Sequence, residues 1–224
     1  MATLSTIVIE PRSEHRFTVI WLHGLGADGH DFEGIVPQLH LAGKASIRFV
    51  FPNAPVRPVT INGGMRMRAW YDIAGSSLER QVDFAGITQS SAALDVLIEQ
   101  EVTRGIAPEQ IILAGFSQGG VIALHTGLRY PKRLAGIIAL STYLPTLPQL
   151  ANEASKANQD LPIFMAHGTA DPIVPIEIAK SAYHQLVARH YPVQWWEYAM
   201  QHSVCAQEIE HISLFMQHIF KIQE

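Results

Sequence analysis

Gly115-Phe116-Ser117-Gln118-Gly119 has the spacing of a reactive serine held in a sharp turn. Its flanks give the pentapeptide weight. Apolar Ile111-Ile112-Leu113-Ala114 leads in and Gly120-Val121-Ile122-Ala123-Leu124 leads out, so Ser117 falls between a strand and a helix. Such a turn crowds the positions two before and two after the serine, where this chain has glycine, and Gly120 widens the allowance. A helix starting at Gln118 aims its backbone donors and the positive end of its dipole at the serine, which favours an anionic tetrahedral intermediate. The chemistry indicated is acyl transfer. The competing reading is that the glycines only permit close packing of helix on strand.

A serine hydroxyl at neutral pH needs a histidine to take its proton and an acid to orient that histidine. On a strand-turn-helix scaffold these follow in the order serine, acid, histidine. Asp171 lies in the polar turn His167-Gly168-Thr169-Ala170-Asp171-Pro172, just past an apolar strand, where it is either the acid or a turn-capping residue. Of the 11 histidines, His202 alone falls on the loop between the last expected strand and the last expected helix. His23 comes too early, His125 lies on the helix after the serine, and His167 is expected to shape the Asp171 turn. Cys205, the one cysteine, is a rival nucleophile near His202, but no strand-to-helix elbow surrounds it.

The intermediate also needs two fixed donors. One is the N–H of the residue after the serine, Gln118; the other is expected from Leu25, whose flanking Gly24 and Gly26 let the backbone turn its amide toward Ser117. Neither dinucleotide nor P-loop glycine spacing is present, which disfavours a phosphate site here. His23, Asp28, His30 and Asp31 could be read as metal ligands, but polar side chains facing solvent and helix capping by Asp31 account for them, and no metal is expected.

These residues need a rigid frame, and the rest of the chain supplies one. The 224 residues are 48% hydrophobic and 16% charged, as expected for a single domain, residues 1–224, with one core system. Short apolar runs over Ser5–Ile9, Phe17–Leu22, Ile47–Phe51, Gln110–Ala114, Leu134–Leu140, Pro162–Ala166 and Val193–Tyr198 predict strands. They alternate with helix-period stretches over Ile87–Val102, Phe32–Leu41, Gln118–Arg129, Leu147–Ala157, Ile176–His190 and Ala206–Ile222. The fold class is therefore α/β, a mostly parallel sheet with helices on both faces. Pro52 to Ser77 shows no period and carries several large side chains, so it is read either as a substrate wall or as a cap on the core.

The formal net charge of -4 leaves no basic face for nucleic acid or anionic lipid. Met1 to Glu10 lacks a basic flank and is too short for a signal core or a membrane span, so a cytoplasmic protein without membrane insertion is expected. One cysteine excludes an internal disulfide. A homodimer is compatible with this composition.

WLHGLGADGHDF (Trp21 to Phe32), FPNAPVRPVTINGG (Phe51 to Gly64), WYDI (Trp70 to Ile73), LAGFSQGG (Leu113 to Gly120), IALSTYLP (Ile138 to Pro145) and HGTADPIVP (His167 to Pro175) together resemble the phospholipase/carboxylesterase family of bacterial carboxylesterases and acyl-protein thioesterases. The resemblance implies an α/β-hydrolase fold without a large lid domain, a triad of Ser117, Asp171 and His202, and no cofactor. Met65, Met67, Trp70, Tyr71, Ile73, Tyr143 and Leu144 would form an adaptable apolar wall. The first expectation is hydrolysis of short to medium acyl esters; lysophospholipids and acylated proteins are the alternatives. The family usually has glycine before its histidine, where this chain has Gln201, and a shifted histidine or an added polar contact at the site mouth would follow.

Overall fold

The computed structural model describes residues 4–41, 45–75 and 81–222. The start of Met1–Glu10 and the end of the Pro52–Ser77 stretch lie outside them. Seven strands form one sheet: β1 Thr6–Ile9, β2 Phe17–Leu22, β3 Ile47–Pro52, β6 Ile111–Phe116, β7 Gly136–Leu140, β8 Ile163–Gly168 and β9 Val193–Tyr198, with β4 Val56–Val59 and β5 Met65–Arg68 apart in a hairpin. Sheet order is β1-β3-β2-β6-β7-β8-β9, with β1 antiparallel to β3 and every other neighbour parallel. Helices α1 Phe84–Thr103, α2 Gln118–Arg129, α3 Leu147–Glu153, α4 Ile176–Val187 and α5 Ala206–Phe220 cover it.

Both faces of the central strands are apolar because each face has its own core. Side chains alternate along a strand, so Ile20, Leu113, Ile137 and Met165 enter the core shared with α1, α2, α3 and α4. Val19, Ile112, Ile138 and Phe164 enter the opposite core, under α5 and the 3₁₀ segment Glu33–Leu39. The expected helix over Phe32–Leu41 is that 3₁₀ segment: Pro37 inside it lacks an N–H, and no side chain, Asp31 included, caps its start. The expected Leu147–Ala157 helix likewise splits, α3 ending at Glu153 before a 3₁₀ turn over Lys156–Asn158.

The segment without a period contains a structure that periodicity could not reveal. β4 and β5 pair Val56 with Arg68 and Val59 with Met65, across a 3₁₀ turn over Thr60–Asn62. Gly63 and Gly64 close the turn at φ 65° and 78°, backbone that other residues adopt at a cost. Four-residue strands bearing arginines and a proline give no two-period hydrophobic signal.

Register fixes what the strands deliver at their C-terminal ends. Leu22 lies beside Gly115, Leu140 beside Ala166, and Gly168 beside Tyr198. The loops after β2, β6, β8 and β9 therefore leave the same edge of the sheet, the edge at which parallel sheets gather ligands. Among the described residues no helix is long and apolar enough to cross a membrane.

One core residue conflicts with its surroundings. Glu208, in the first turn of α5, is 0% exposed, and neither carboxylate oxygen makes a hydrogen bond of normal geometry among the described residues. Burial pushes its pKa up to about 8, with the Cys205 backbone opposing weakly. A raised carboxyl pKa means that folding favours the protonated form: this contribution to stability is present at low pH and is lost as pH rises toward 8. Glu208→Gln is therefore expected to melt close to wild type at pH 5 and well above it at pH 8. The gap corresponds to a few kcal/mol, since a tenfold change in proton affinity is about 1.4 kcal/mol. Calorimetry of both proteins at the two pH values checks this.

Candidate active site

Ser117 sits between β6 and α2 with φ 54° and ψ −119°, a conformation that a serine keeps only when its surroundings enforce it. They do so closely. Its N–H donates to Leu140 C=O at 2.9 Å, and its own carbonyl accepts from Thr142 Oγ1 at 2.7 Å and from Gly120 N–H at 3.0 Å. A Cβ on Gly115 would lie 2.3 Å from the Gly119 carbonyl oxygen, and one on Gly119 2.5 Å from that of Leu22. Both glycines answer to backbone contacts that no side chain can yield to.

Asp171 and His202 meet through the ends of β8 and β9. Thr169 N–H donates to Tyr198 C=O at 2.8 Å and Ala170 N–H to Met200 C=O at 3.1 Å, which draws the two loops together. Gly168 allows this, because a Cβ there would stand 2.3 Å from the Gln201 carbonyl oxygen. His202 Nδ1 lies 2.6 Å from Asp171 Oδ2, and Asp171 Oδ1 accepts from the N–H groups of Ile173 and Val174 at 2.8 and 2.9 Å. The Asp171 carboxylate is 0% exposed and the imidazole 17%, so this pair is largely withdrawn from water while the ring stays reachable. With Nδ1–H given to Asp171, Nε2 is the candidate base. The His202 ring packs on Phe116 with centroids 4.7 Å apart, directly before Ser117. No hydrogen bond joins Ser117 Oγ to the imidazole among the described residues.

His167 is fully buried beneath this pair. Its Nε2 lies 2.8 Å from Val174 C=O and 3.4 Å from Asp171 Oδ2, and burial lowers its pKa. The Asp171 turn is thus braced from inside. Gln201 is exposed and lies outside the set of non-glycine residues with positive φ, so this position makes no demand for glycine. Cys205 precedes α5 in extended backbone, half-buried.

The loop after β2 abuts the serine turn: a Cβ on Gly24 would meet Phe116 at 3.3 Å and the Ser117 Cβ at 3.6 Å. Among the described residues neither Leu25 N–H nor Gln118 N–H has an acceptor, so both amides are available to a ligand oxygen. His23 is locked below. Its Nε2 accepts from Ala54 N–H at 3.0 Å, so the proton sits on Nδ1, which donates to Gly24 C=O at 2.7 Å. Burial, the largest influence on it, holds the pKa below the ordinary histidine value, as a neutral structural ring requires. His30 Nδ1 lies 2.7 Å from Glu33, and Asp28 accepts from His30 N–H.

The seven apolar candidates divide into two groups. Trp70, Tyr71, Tyr143 and Leu144 are buried in the α1–α4 core, Trp70 at 0% exposure, with the Tyr71 and Tyr143 hydroxyls 3.1 Å apart. Large side chains this deep make a floor and not a face. Met67 and Ile73 are partly buried and Met65 is 64% exposed. Met67 Sδ would lie 3.8 Å from a Cβ on Gly26, the residue after Leu25. Sequence reasoning missed Thr142 and the Gln118 carboxamide; neither carries a motif beyond its own residue type.

Comparison with known proteins adds the family. The family described as Phospholipase/Carboxylesterase matches residues 4–220. Acyl-protein thioesterase 1 of Neurospora crassa is 38% identical, over 96% of this chain and 92% of the relative. The crystal structure of Zea mays acyl-protein thioesterase 2 superposes with a TM-score of 0.85 at 27% identity, covering 96% of this chain and 98% of that one. That of esterase PE8 does so with a TM-score of 0.83 at 27% identity, covering 97% and 100%. The chain belongs to the phospholipase/carboxylesterase family, with its α/β-hydrolase fold, and is a serine hydrolase of ester or thioester bonds.

Proposed function

We propose that this enzyme removes acyl groups from thioesters, with oxygen esters as poorer substrates, through an acyl-enzyme on Ser117. The observation that carries the preference is the match, over nearly the full length of both chains, to proteins named acyl-protein thioesterases. It moves the emphasis from the short-chain oxygen esters first expected toward the thioester alternative.

In this reading Ser117 Oγ attacks the acyl carbon while His202 Nε2 takes its proton, and the carbonyl oxygen becomes an anion held by the Leu25 and Gln118 N–H groups. The C–S bond then breaks, His202 returns the proton to the leaving thiol, and water attacks the acyl-serine by the same route to release the acid. Asp171 holds the imidazole and balances its transient charge. The hydrogen bond from Ser117 to His202 closes when substrate arrives, as such contacts commonly do. Met65, Met67 and Ile73 contact the acyl chain, resting on Trp70, Tyr71, Tyr143 and Leu144. The exposed methionine Met65 suits a chain that extends past the hairpin.

Matched thioesters and oxygen esters with acyl chains from two to sixteen carbons test the preference. The proposal expects kcat/KM for thioesters to exceed that for the paired esters by about tenfold or more, a difference of about 1.4 kcal/mol in transition-state binding. An ester preference peaking at short chains would return the enzyme to the carboxylesterase reading.

A further inference from the structure

Gln118 contributes more than its amide. The residue is 2% exposed, and its carboxamide reaches the Trp70–Tyr71 backbone. There Oε1 accepts from Trp70 N–H and Nε2 donates to Tyr71 C=O, each at 2.7 Å. A carboxamide here acts as one more strand neighbour, satisfying a donor and an acceptor on the strip that leaves β5. That strip holds the other donor loop. Trp70 Nε1 donates to His23 C=O at 2.9 Å, and Gly26 N–H donates to Arg68 C=O at 2.9 Å. A continuous set of hydrogen bonds thus runs from α2, through Trp70, to the loop that carries Leu25.

The two candidate oxyanion donors lie on different loops. The contact of Gly119 with Leu22 and His23 sets how near α2 comes to the β2 loop; it does not set how that loop is turned. We propose that the Gln118 side chain is a positioning residue: by clamping the Trp70–Tyr71 strip to the first turn of α2, it fixes the direction of the Leu25 amide relative to its own. The inference rests on the acyl-enzyme reading above. Donors of this kind act only when held at the place where charge develops, so a clamp of this sort governs the transition state more than the bound substrate.

Three variants test it. Gln118→Met keeps the volume and removes both polar atoms; Trp70→Phe breaks the next link, the bond to His23 C=O, without touching Gln118; the third combines them. With a soluble acyl ester, Gln118→Met is expected to lose about 10²-fold in kcat, the scale of losing one oxyanion donor, with KM within about threefold. Affinity for an alkyl trifluoromethyl ketone, which forms a tetrahedral adduct, should fall in parallel, while affinity for the product acid holds. If one chain of contacts carries the effect, the double variant is no more than about threefold worse than the poorer single one. Amide hydrogen exchange gives a readout independent of activity: Gly26 N–H, which touches neither changed side chain, should exchange faster in Gln118→Met.

Unchanged kcat, a KM increase that accounts for the loss, multiplicative single effects, or unaltered protection at Gly26 would each overturn the clamp. A wild-type protein that turns over neither ester nor thioester would count against the acyl-enzyme reading. Hydrogen exchange at Gly26 would still decide whether the clamp exists.

Discussion

Replacing Ser117 with alanine is expected to lower kcat by about 10⁴- to 10⁶-fold, the range seen when a triad nucleophile is removed. Melting temperature should hardly change. The reasons lie in the same geometry. The hydrogen bonds that hold the turn at φ 54° involve the Ser117 backbone, with Leu140, Thr142, Gly120 and Val121, and alanine retains all of them. The hydroxyl makes no hydrogen bond among the described residues, so its removal leaves no buried partner unsatisfied. What is lost is the atom that attacks. Steady-state turnover set beside a melting curve separates this outcome from a folding defect, which would lower both.

Asp171→Asn is expected to cost about 10⁴-fold in kcat, again with the fold retained. The hydrogen-bond pattern dictates how the new amide sits. Two backbone N–H groups, from Ile173 and Val174, point at Oδ1, so the asparagine oxygen must stay there. Its NH₂ then faces His202 Nδ1, where the carboxylate accepted at 2.6 Å. Two donors cannot share that contact, and the imidazole moves its proton to Nε2, the nitrogen that must accept from Ser117. Nitrogen NMR of the His202 ring, showing Nε2–H in the variant and Nδ1–H in wild type, checks the cause along with the rate. A loss of less than tenfold would assign Asp171 to capping its own turn.

The positions of Ser117, Asp171 and His202 are legible in the sequence because each rests on a pattern with a steric or topological cause. Glycines flank Ser117 because backbone atoms of Gly119 and Leu22 occupy the space of a side chain. Strand order points to Asp171 and His202, since each follows the C-terminal end of a strand in the parallel part of one sheet. The strands themselves were legible because both faces are buried, which makes them continuous apolar runs.

What escaped notice depends on contacts distant in sequence. The β4–β5 hairpin carries arginines and Pro58 on strands of four residues, too short and too polar for a pattern. A large aromatic in an irregular segment, such as Trp70, is compatible with a substrate surface or a core cap; its bonds to Gln118 and His23, which tie α2 to the loop after β2, join residues far apart in sequence. Gln201, which differs from the family habit, proved undemanding. Its backbone is not left-handed, and its side chain lies in solvent.

The hairpin also links the wall to the chemistry. Met67, the proposed acyl-chain contact, and Arg68, whose carbonyl accepts from Gly26 N–H in the loop proposed to carry the Leu25 donor, are neighbours on one short strand. Chain length and oxyanion geometry are therefore expected to be coupled in this enzyme, with rate as well as affinity responding to the acyl group.

In the proposed mechanism Ser117 carries the acyl group between the two halves of the reaction. Acid-quenching wild-type enzyme during turnover of a long-chain acyl thioester, followed by peptide mass mapping, tests it most directly. One acyl group is expected, attached to Ser117 in the Gly115–Gly119 turn, and it should disappear as substrate is exhausted. Acyl found on Cys205 instead, or steady turnover with no acylated peptide and no pre-steady-state burst, would contradict it.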